Sequence, residues 1–379
     1  MMSFKLVCIE CGNTHDNSQY RILCDKCRGL LDTRYDIAPT VEARVVSRAT
    51  GTARYLPLLP IRNSENLVTM NEGNTPLVRL SKISDELGLA SVWGKMEFFN
   101  PTGTFKDRGN CVQVSVLKDT GVVEVAESTG GNGGNSTAAY CARAGIAYHA
   151  FMSTSIKSSQ KANAIVYHGA KVHWIDGDKL DVEEATRNFS KETGILHLRY
   201  GENIYFIEGK KLIAYELPDQ MDSMPDHVVV PVGNGSILMG IYKGFRDMLE
   251  DGRINKIPAL HAVQVEEVQP LVAAFEGREW TATRDDPKSR ATGITVKIPP
   301  RPQVVAQNCR ETGGQVIALA ENRILWWHKR LASLEGLLVE PASAATLAGS
   351  ELLRQRGVIK QGETVLVPLT SLGIREPLI

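Results

Sequence analysis

From about residue 90 onward, short apolar runs alternate with longer helical patterns. The runs that predict β-strands cover residues 91–97, 122–126, 148–152, 171–175, 228–232, 260–265, 337–339 and 364–368. The segments that predict helices cover residues 104–116, 158–167, 182–192, 237–249, 324–334 and 344–356. Apolar strands that alternate with helices are typical of parallel sheets covered on both faces. The alternation therefore predicts an α/β fold built mainly from parallel sheets.

The length and the charge balance narrow the possible architectures and functions. With 379 residues, the chain is about twice as long as a typical domain, so we expect two or more domains. The 43 basic and 43 acidic residues balance, which argues against nucleic acid or a membrane surface as a partner. No apolar run approaches the roughly 20 residues of a membrane span, and the N-terminus lacks the apolar stretch of a signal peptide. We expect a cytoplasmic protein.

Residues 1–37 form a separate unit in which four cysteines are paired. Cys8 and Cys11 make one CxxC motif, and Cys24 and Cys27 make another. Thiolates at this spacing can close a tetrahedral zinc site, because each motif supplies two ligands from one tight turn. Four protein ligands leave no open coordination position, so the sequence predicts a structural zinc ribbon. The alternative is a ribbon whose metal has been lost or replaced.

Two glycine-rich loops lie between a predicted strand and a helix. They are STGGNGG at residues 128–134 and VGNGS at residues 232–236. Backbone N–H groups in such loops can face an anion, and the helix N-terminus adds partial positive charge. Neither loop matches the Walker motif or GxGxxG. Each alone is equally compatible with a tight packing turn, but two such loops beside a candidate lysine favour anion binding.

That lysine is Lys106, in the sequence NPTGTFKDRG at residues 100–109. Most lysines are surface residues, but this one follows Phe105 and lies in the first turn of a predicted helix. A lysine that is partly desolvated near a helix N-terminus has a lowered pKa and becomes a nucleophilic amine. Such lysines form Schiff bases with carbonyl cofactors.

The sequence NPTGTFKDRG closely resembles the lysine motif of threonine synthases, which belong to the fold type II, tryptophan-synthase-β-like pyridoxal phosphate enzymes. Further segments follow in the order of that family: the double CxxC, RYLPLLP, EGNTPLVRL, the glycine loops, IEGKKLIAYEL, VEPASAA and LTSLGIREP. The resemblance therefore covers nearly the whole chain. It implies pyridoxal 5′-phosphate as cofactor, a small amino acid as substrate and a homodimer. It also implies two three-layer α/β/α domains with mainly parallel sheets. These are a large cofactor-binding domain at residues 38–97 and 205–379, and a small substrate-clasping domain at residues 98–204.

The resemblance also implies residue roles. Lys106 would bind the cofactor covalently and later move protons at the substrate Cα. Asn132 would hydrogen-bond the cofactor's ring oxygen, and Thr370 would face its pyridine nitrogen. A neutral hydroxyl does not force that nitrogen to stay protonated, which suits elimination and replacement better than transamination. The remaining positions line two loops: Gly233, Asn234, Gly235 and Ser236 for the cofactor phosphate, and Ser128, Thr129 and Gly130 for the substrate carboxylate.

The chain departs from the family pattern in three places. The first loop has STGGN where the family has STGNT, so Asn135 is a second candidate for the role of Asn132. Ser371 replaces a glycine near the C-terminus. In the segment that corresponds to NSxNPxRxEGQK, Tyr200 and Gly201 replace asparagine and serine, and Phe206 replaces the arginine. A phenyl ring cannot grip a phosphate as a guanidinium does.

These departures leave the substrate open. Lys210, Lys211 or Arg199 could supply the missing charge; alternatively, Lys210 and Lys211 form a solvated face. Three hypotheses follow. The first is a threonine synthase that acts on O-phospho-L-homoserine. The second is a related enzyme with another substrate, such as a serine or threonine dehydratase or a β-replacement synthase. The third is a catalytically idle zinc-ribbon protein with a binding or regulatory role.

Overall fold

The computed structural model describes residues 3–36, 45–46, 48–199, 201–283 and 287–375. Its contacts divide the chain into two compact units. Unit 1 comprises Met1–Asn74 and Asn100–Leu212, and unit 2 comprises Thr75–Phe99 and Ile213–Ile379. By these contacts the segment before Thr75 groups with unit 1, whereas the predicted large domain includes residues 38–97. The functional division into cofactor-binding and substrate-clasping domains stays a prediction.

The described α-helices are listed here in chain order. They are α1 (Gly51–Arg54), α2 (Ser81–Leu87), α3 (Lys106–Asp119), α4 (Asn132–Ala144), α5 (Gln160–Tyr167), α6 (Lys179–Thr193), α7 (Ile204–Glu208), α8 (Leu212–Tyr215), α9 (Ser236–Glu250), α10 (Pro270–Glu276), α11 (Pro302–Glu311), α12 (Glu321–Glu335) and α13 (Pro341–Gln355). Within the ranges given above, none of them is both long enough and apolar enough to span a membrane.

The described residues of unit 1 form two sheets. The first is antiparallel and has the order β2-β1-β3, formed by β1 (Phe4–Cys8), β2 (Thr14–His15) and β3 (Leu31–Tyr35). The second is parallel and has the order β8-β7-β6-β9. Its strands are β6 (Glu124–Ser128), β7 (Ala147–Ser153), β8 (Lys171–Ile175) and β9 (Leu196–His197). Helices α3 and α4 pack against this parallel sheet through a core that includes Val114, Val125 and Tyr148.

In unit 2 the described strands form a six-stranded sheet with the order β12-β11-β10-β13-β5-β4. Its strands are β4 (Leu77–Arg79), β5 (Ser91–Lys95), β10 (His227–Pro231), β11 (Ala259–Val265), β12 (Val316–Leu319) and β13 (Thr364–Pro368). All neighbours are parallel except β4, which runs antiparallel to β5 at one edge. Strand β10 is buried along its whole length, as expected for a strand covered on both faces. The core includes Val229, Val263 and Trp327.

The α/β class and the mainly parallel sheets are confirmed. One predicted strand is wrong: residues 337–339 form no strand, and Val339 makes only an isolated bridge to Leu372. This three-residue apolar run lies just before Pro341, where α13 begins, and its backbone makes this bridge in place of a ladder. Strand β12 was not predicted, although it extends the edge of the large sheet beside β11.

Candidate active site

Lys106 is the first residue of α3, as the motif predicts within two residues. The preceding turn is held by Asp107, a fully buried carboxylate that accepts hydrogen bonds from Thr102 N at 2.7 Å and from Thr102 Oγ1 at 2.6 Å. Ser136 Oγ of α4 donates to the same carboxylate at 2.5 Å. Burial raises the pKa of Asp107 to about 6, against the effect of these bonds. Asp107 thus joins the turn before α3 to the first part of α4.

The Lys106 ammonium group lies beside two phenyl rings. Its Nζ is 4.6 Å from the ring centroid of Phe105 and 5.8 Å from that of Phe206. A second ammonium, Lys210 Nζ, lies 3.1 Å from the Phe206 centroid and 5.6 Å from that of Phe105. Gly109 makes this arrangement possible, since a Cβ there would lie 2.5 Å from Phe206 Cδ2. Lys106 is therefore partly desolvated by aromatic neighbours, as its context predicts.

The loop after β6 carries the predicted carboxylate-binding residues. Ser128 is the last residue of β6, Thr129 N donates to Phe151 O at 3.0 Å, and Gly130 is exposed. Asn132 is the first residue of α4 and is half-buried. Asn135 is one turn later and buried, and its side-chain oxygen has no hydrogen-bond partner. Both asparagines thus remain candidates for the ring-oxygen contact.

The second glycine loop lies in unit 2, between β10 and α9. Gly235 has a left-handed φ of +87°, which favours glycine. A Cβ at Gly235 would lie 2.4 Å from Val305 Cγ2, and one at Gly233 would lie 2.5 Å from Gly293 O. Helix α9 begins at Ser236 without a side-chain cap. The loop therefore needs its glycines, and it presents a helix N-terminus that no side chain of its own caps, which suits an anion.

Thr370, also in unit 2, follows β13 and is buried. Its Oγ1 lies 2.7 Å from Ser343 Oγ on α13. Ser343 Oγ already accepts from Thr370 N at 3.0 Å and from Ser371 N at 3.2 Å. Because a hydroxyl has two lone pairs, Ser343 must use its own proton to donate to Thr370 Oγ1. The Thr370 proton is then directed away from Ser343, as a donor to a ring nitrogen requires.

The four N-terminal cysteines form one cluster. The sulfur atoms of Cys8, Cys11, Cys24 and Cys27 all lie within 4.8 Å of one another. They are free thiols on and beside the antiparallel sheet β2-β1-β3. The donor set and its convergence suit a tetrahedral metal such as zinc, as the spacing predicts.

The segment at residues 203–211 differs from the expectation of a solvated face. Lys210 and Lys211 are both fully buried, so that interpretation is wrong. Lys211 Nζ pairs with Glu208 at 2.9 Å, and the Glu208 carboxylate also accepts from Thr33 Oγ1 at 2.7 Å and from Tyr35 Oη at 2.5 Å. Strand β3 of the antiparallel sheet β2-β1-β3 thus supplies two hydroxyls that bond the buried Glu208 carboxylate.

The other residues of this segment have structural partners. Asn203 caps α7 by accepting from Tyr205 N at 3.0 Å, and its amide donates to Tyr20 Oη at 2.5 Å. Arg199 pairs with Glu202 at 2.9 Å. Phe206 is fully buried, so an apolar ring occupies the position where the family pattern has arginine. Tyr200, the other marked departure, lies outside the described residues.

Two polar residues that lie beside the candidate residues Thr370 and Ser128 were not predicted. Ser343 orients Thr370, and the segment VEPASAA that contains it was its only signal. Glu127 is a buried carboxyl group directly before Ser128, and burial raises its pKa to about 7. A single acidic residue in a strand gives no sign in the sequence of which face it occupies.

Comparison with protein families gives a match over most of the chain. The family described as pyridoxal-phosphate dependent enzyme matches residues 68–371. A protein named threonine synthase from Methanocaldococcus jannaschii is 33% identical over 376 residues, covering 98% of this chain and 92% of the relative. A protein of the same name from Methanosarcina acetivorans is 34% identical over 378 residues, covering 99% of this chain and 93% of the relative.

Solved structures show a similar fold. Maize serine racemase superposes with a TM-score of 0.70 at 19% identity, over 79% of this chain and 88% of that one. Threonine deaminase isoform 2 from Solanum lycopersicum superposes with a TM-score of 0.68 at 20% identity, over 78% of this chain and 79% of that one. At these identities the structural likeness supports the fold. The reaction has to be inferred from the residues of the site.

Proposed function

Because the chain belongs to the family of pyridoxal-phosphate dependent enzymes, we propose that it is an amino-acid lyase that acts as a threonine synthase. The reaction would convert O-phospho-L-homoserine and water to L-threonine and phosphate. The observation that carries this proposal is the match of two relatives of that name to at least 98% of the chain. The same match disfavours the hypothesis of an idle zinc-ribbon protein.

The residues of each unit suit the cofactor. In unit 2, the tight glycine loop and the uncapped start of α9 would bind its phosphate through backbone N–H groups. Thr370, oriented by Ser343, would donate a hydrogen bond to the pyridine nitrogen. In unit 1, Lys106 would bind the cofactor through its amine, and Asn132 or Asn135 would bind the ring oxygen. When bound, pyridoxal phosphate supplies an electron-withdrawing ring that stabilises negative charge at the substrate Cα.

The protein residues have separate roles toward the substrate. Ser128, Thr129 and the Gly130 backbone would hold its carboxylate at the end of β6. Lys106 would take the proton from Cα and return protons as phosphate leaves from Cγ and water adds at Cβ. Phe105 and Phe206 would keep water away from the amine, which strengthens electrostatic interactions around it.

A second candidate function rests on Phe206. Its buried ring provides no cation at the position where the family pattern has arginine, which favours a substrate without a phosphate. A dehydratase or a β-replacement synthase that acts on a serine-type substrate would fit this position. Lys210, next to Phe206, is a cation that could compensate for the loss in a threonine synthase.

A spectral titration distinguishes the two functions. The purified holoenzyme would be mixed with O-phospho-L-homoserine, serine, threonine and O-acetylserine, while cofactor absorbance and released phosphate are followed. We expect phosphate release and threonine formation with O-phospho-L-homoserine. A response to serine-type substrates alone would overturn the threonine synthase proposal in favour of the second candidate.

We further propose that Cys8, Cys11, Cys24 and Cys27 bind one structural zinc ion and that the enzyme is a cytoplasmic homodimer. The convergence of the four sulfur atoms supports the zinc. Metal analysis and light scattering of the purified protein test the metal content and the oligomeric state.

A further inference from the structure

Lys210 places a second ammonium group beside the same two rings as Lys106. Its side chain is fully buried. Lys210 Nζ lies 3.1 Å from the ring centroid of Phe206 and 5.6 Å from that of Phe105. Lys106 Nζ lies 5.8 Å and 4.6 Å from the same two centroids. All four side chains belong to unit 1, and the two cations share one pair of aromatic rings.

The backbone of α3 gives a second, independent measure of this proximity. Gly109 is three residues after Lys106, so the two positions are neighbours on one face of the helix. A Cβ at Gly109 would lie 2.4 Å from Lys210 Nζ and 2.6 Å from Phe206 O. The Lys210 ammonium therefore lies directly on the surface of α3, on the face that carries Lys106 and within one helical turn of it.

The surroundings of Lys210 stabilise its charged form despite its burial. Lys210 Nζ donates a hydrogen bond to Phe206 O at 2.7 Å, and the face of the Phe206 ring attracts the same ammonium. A lysine nitrogen that is bonded to a carbonyl cofactor is a weaker base than a free lysine amine. When two interacting groups titrate, the weaker base releases its proton first. In the holoenzyme, Lys106 is therefore the group that gives up its proton.

Carboxyl groups near α3 could offset the second ammonium. Asp107 already accepts three hydrogen bonds, and Glu208 pairs with Lys211. Glu127 attracts a proton on Lys106, but burial raises the pKa of Glu127 to about 7, so its charge is incomplete at neutral pH. The other titratable side chains of α3 and of the elements packed against it include Arg108, Cys111, Lys118 and Asp119 of α3, Tyr140, Cys141 and Arg143 of α4, Tyr205 of α7, and Glu65 of the turn Ser64–Asn66.

We propose that Lys210 is a positioning residue that acts through Lys106, because its ammonium is the like charge that keeps the Lys106 nitrogen unprotonated near neutral pH. The inference rests on the proposed function in one respect, namely that Lys106 is the reacting lysine. An unprotonated nitrogen can take the proton from the substrate Cα, whereas a protonated nitrogen cannot. Lys210 stands where the pattern NSxNPxRxEGQK has an uncharged glutamine, so this like charge is a departure from that pattern.

The test is a pH titration of the holoenzyme, in which cofactor absorbance reports protonation of the Lys106 nitrogen. Lys210→Gln removes the charge and introduces the residue of the pattern. We expect its midpoint to rise by about one pH unit or more, because a proton on the nitrogen no longer meets a like charge. Lys118→Gln is the matched control, because Lys118 is an exposed lysine near the other end of α3. Its midpoint should equal that of wild type, since solvent and salt screen so distant a charge.

A Lys210→Gln midpoint equal to that of wild type, or an equal rise in Lys118→Gln, would overturn the inference. A higher KM without a change of the midpoint would also overturn it, and would indicate that Lys210 binds the substrate. Should Lys210→Gln fail to fold, Lys210→Met decides the question, because it fills the same space without a charge and should raise the midpoint equally. The proposed function fails separately, if borohydride fixes the cofactor on a lysine other than Lys106.

Discussion

The glycine loop before α9 provides a quantitative test of cofactor binding, through the substitution Gly235→Ala. Gly235 lies at the N-cap of α9 with φ +87°, a conformation that costs a residue with a Cβ roughly 1–2 kcal/mol. The new Cβ would lie 2.4 Å from Val305 Cγ2 and 3.3 Å from Met239 Cε. Overpacking of this kind costs a further 1–3 kcal/mol or so. Because the strain falls on the loop proposed to bind phosphate, the loop must shift.

Gly252→Ala is the matched control, because Gly252 follows the other end of the same helix. Its φ is +73°, and a Cβ there would meet nothing within 4 Å. We therefore expect Gly252→Ala to lose only the backbone term of about 1–2 kcal/mol in the free energy of unfolding. Gly235→Ala should lower the free energy of unfolding by more than that. Its affinity for pyridoxal phosphate should also fall at least tenfold, which corresponds to about 1.4 kcal/mol of binding free energy.

Two measurements check these expectations. Denaturant unfolding gives the stability of each variant, and absorbance titration of the cofactor-free protein with pyridoxal phosphate gives the affinity. If Gly235→Ala binds the cofactor as tightly as Gly252→Ala does, the loop at residues 233–236 does not bind the phosphate and the assignment is refuted.

Three further predictions concern other described contacts. Ser343→Ala should shift the cofactor absorbance and lower the free energy of unfolding by about 1–3 kcal/mol, because two N–H groups lose their acceptor. Ser350→Ala on the same helix is the control. It removes only a bond to Thr346 O and should leave the absorbance spectrum unchanged. Glu208→Gln should lower the free energy of unfolding by about 3 kcal/mol, because Lys211 keeps a buried charge without its partner, whereas Glu202→Gln at a half-buried pair should change it by less than about 1 kcal/mol. Chelation or Cys24→Ser should remove one zinc ion per chain and lower the melting temperature. Cys309→Ala, outside the four-cysteine cluster, should retain the metal. Equal metal loss in both variants would contradict a zinc site at these four cysteines.

The sequence predicted the regular elements best where an apolar run was long and clearly bounded. Strands β8 and β13 occupy the predicted residues, and α3 begins within two residues of the expected position. The run at residues 337–339 failed because three apolar residues can equally serve packing without a ladder. The local pattern of apolar residues thus predicted most helices and strands. It did not show which apolar runs pair with a neighbouring strand.

The interior charges could not be predicted from local pattern. The adjacent Lys210 and Lys211 suggested a solvated face. In the structure, Lys211 is buried and pairs with Glu208, whose carboxylate also accepts hydrogen bonds from Thr33 and Tyr35 of β3. Thr33 and Tyr35 are 175 and 173 positions away from Glu208 along the chain. The burial of Glu127 and the orientation of Thr370 by Ser343 likewise depend on neighbours from other elements. Such contacts become visible only when the chain is folded.

The assignment of Lys106 is tested most directly by reduction of the purified enzyme with borohydride, followed by proteolysis and mass spectrometry. We predict that the cofactor is fixed on the peptide that contains Lys106, and that Lys106→Ala retains no covalent cofactor. Cofactor fixed on a different lysine, or none fixed in the wild-type protein, would contradict the central claim.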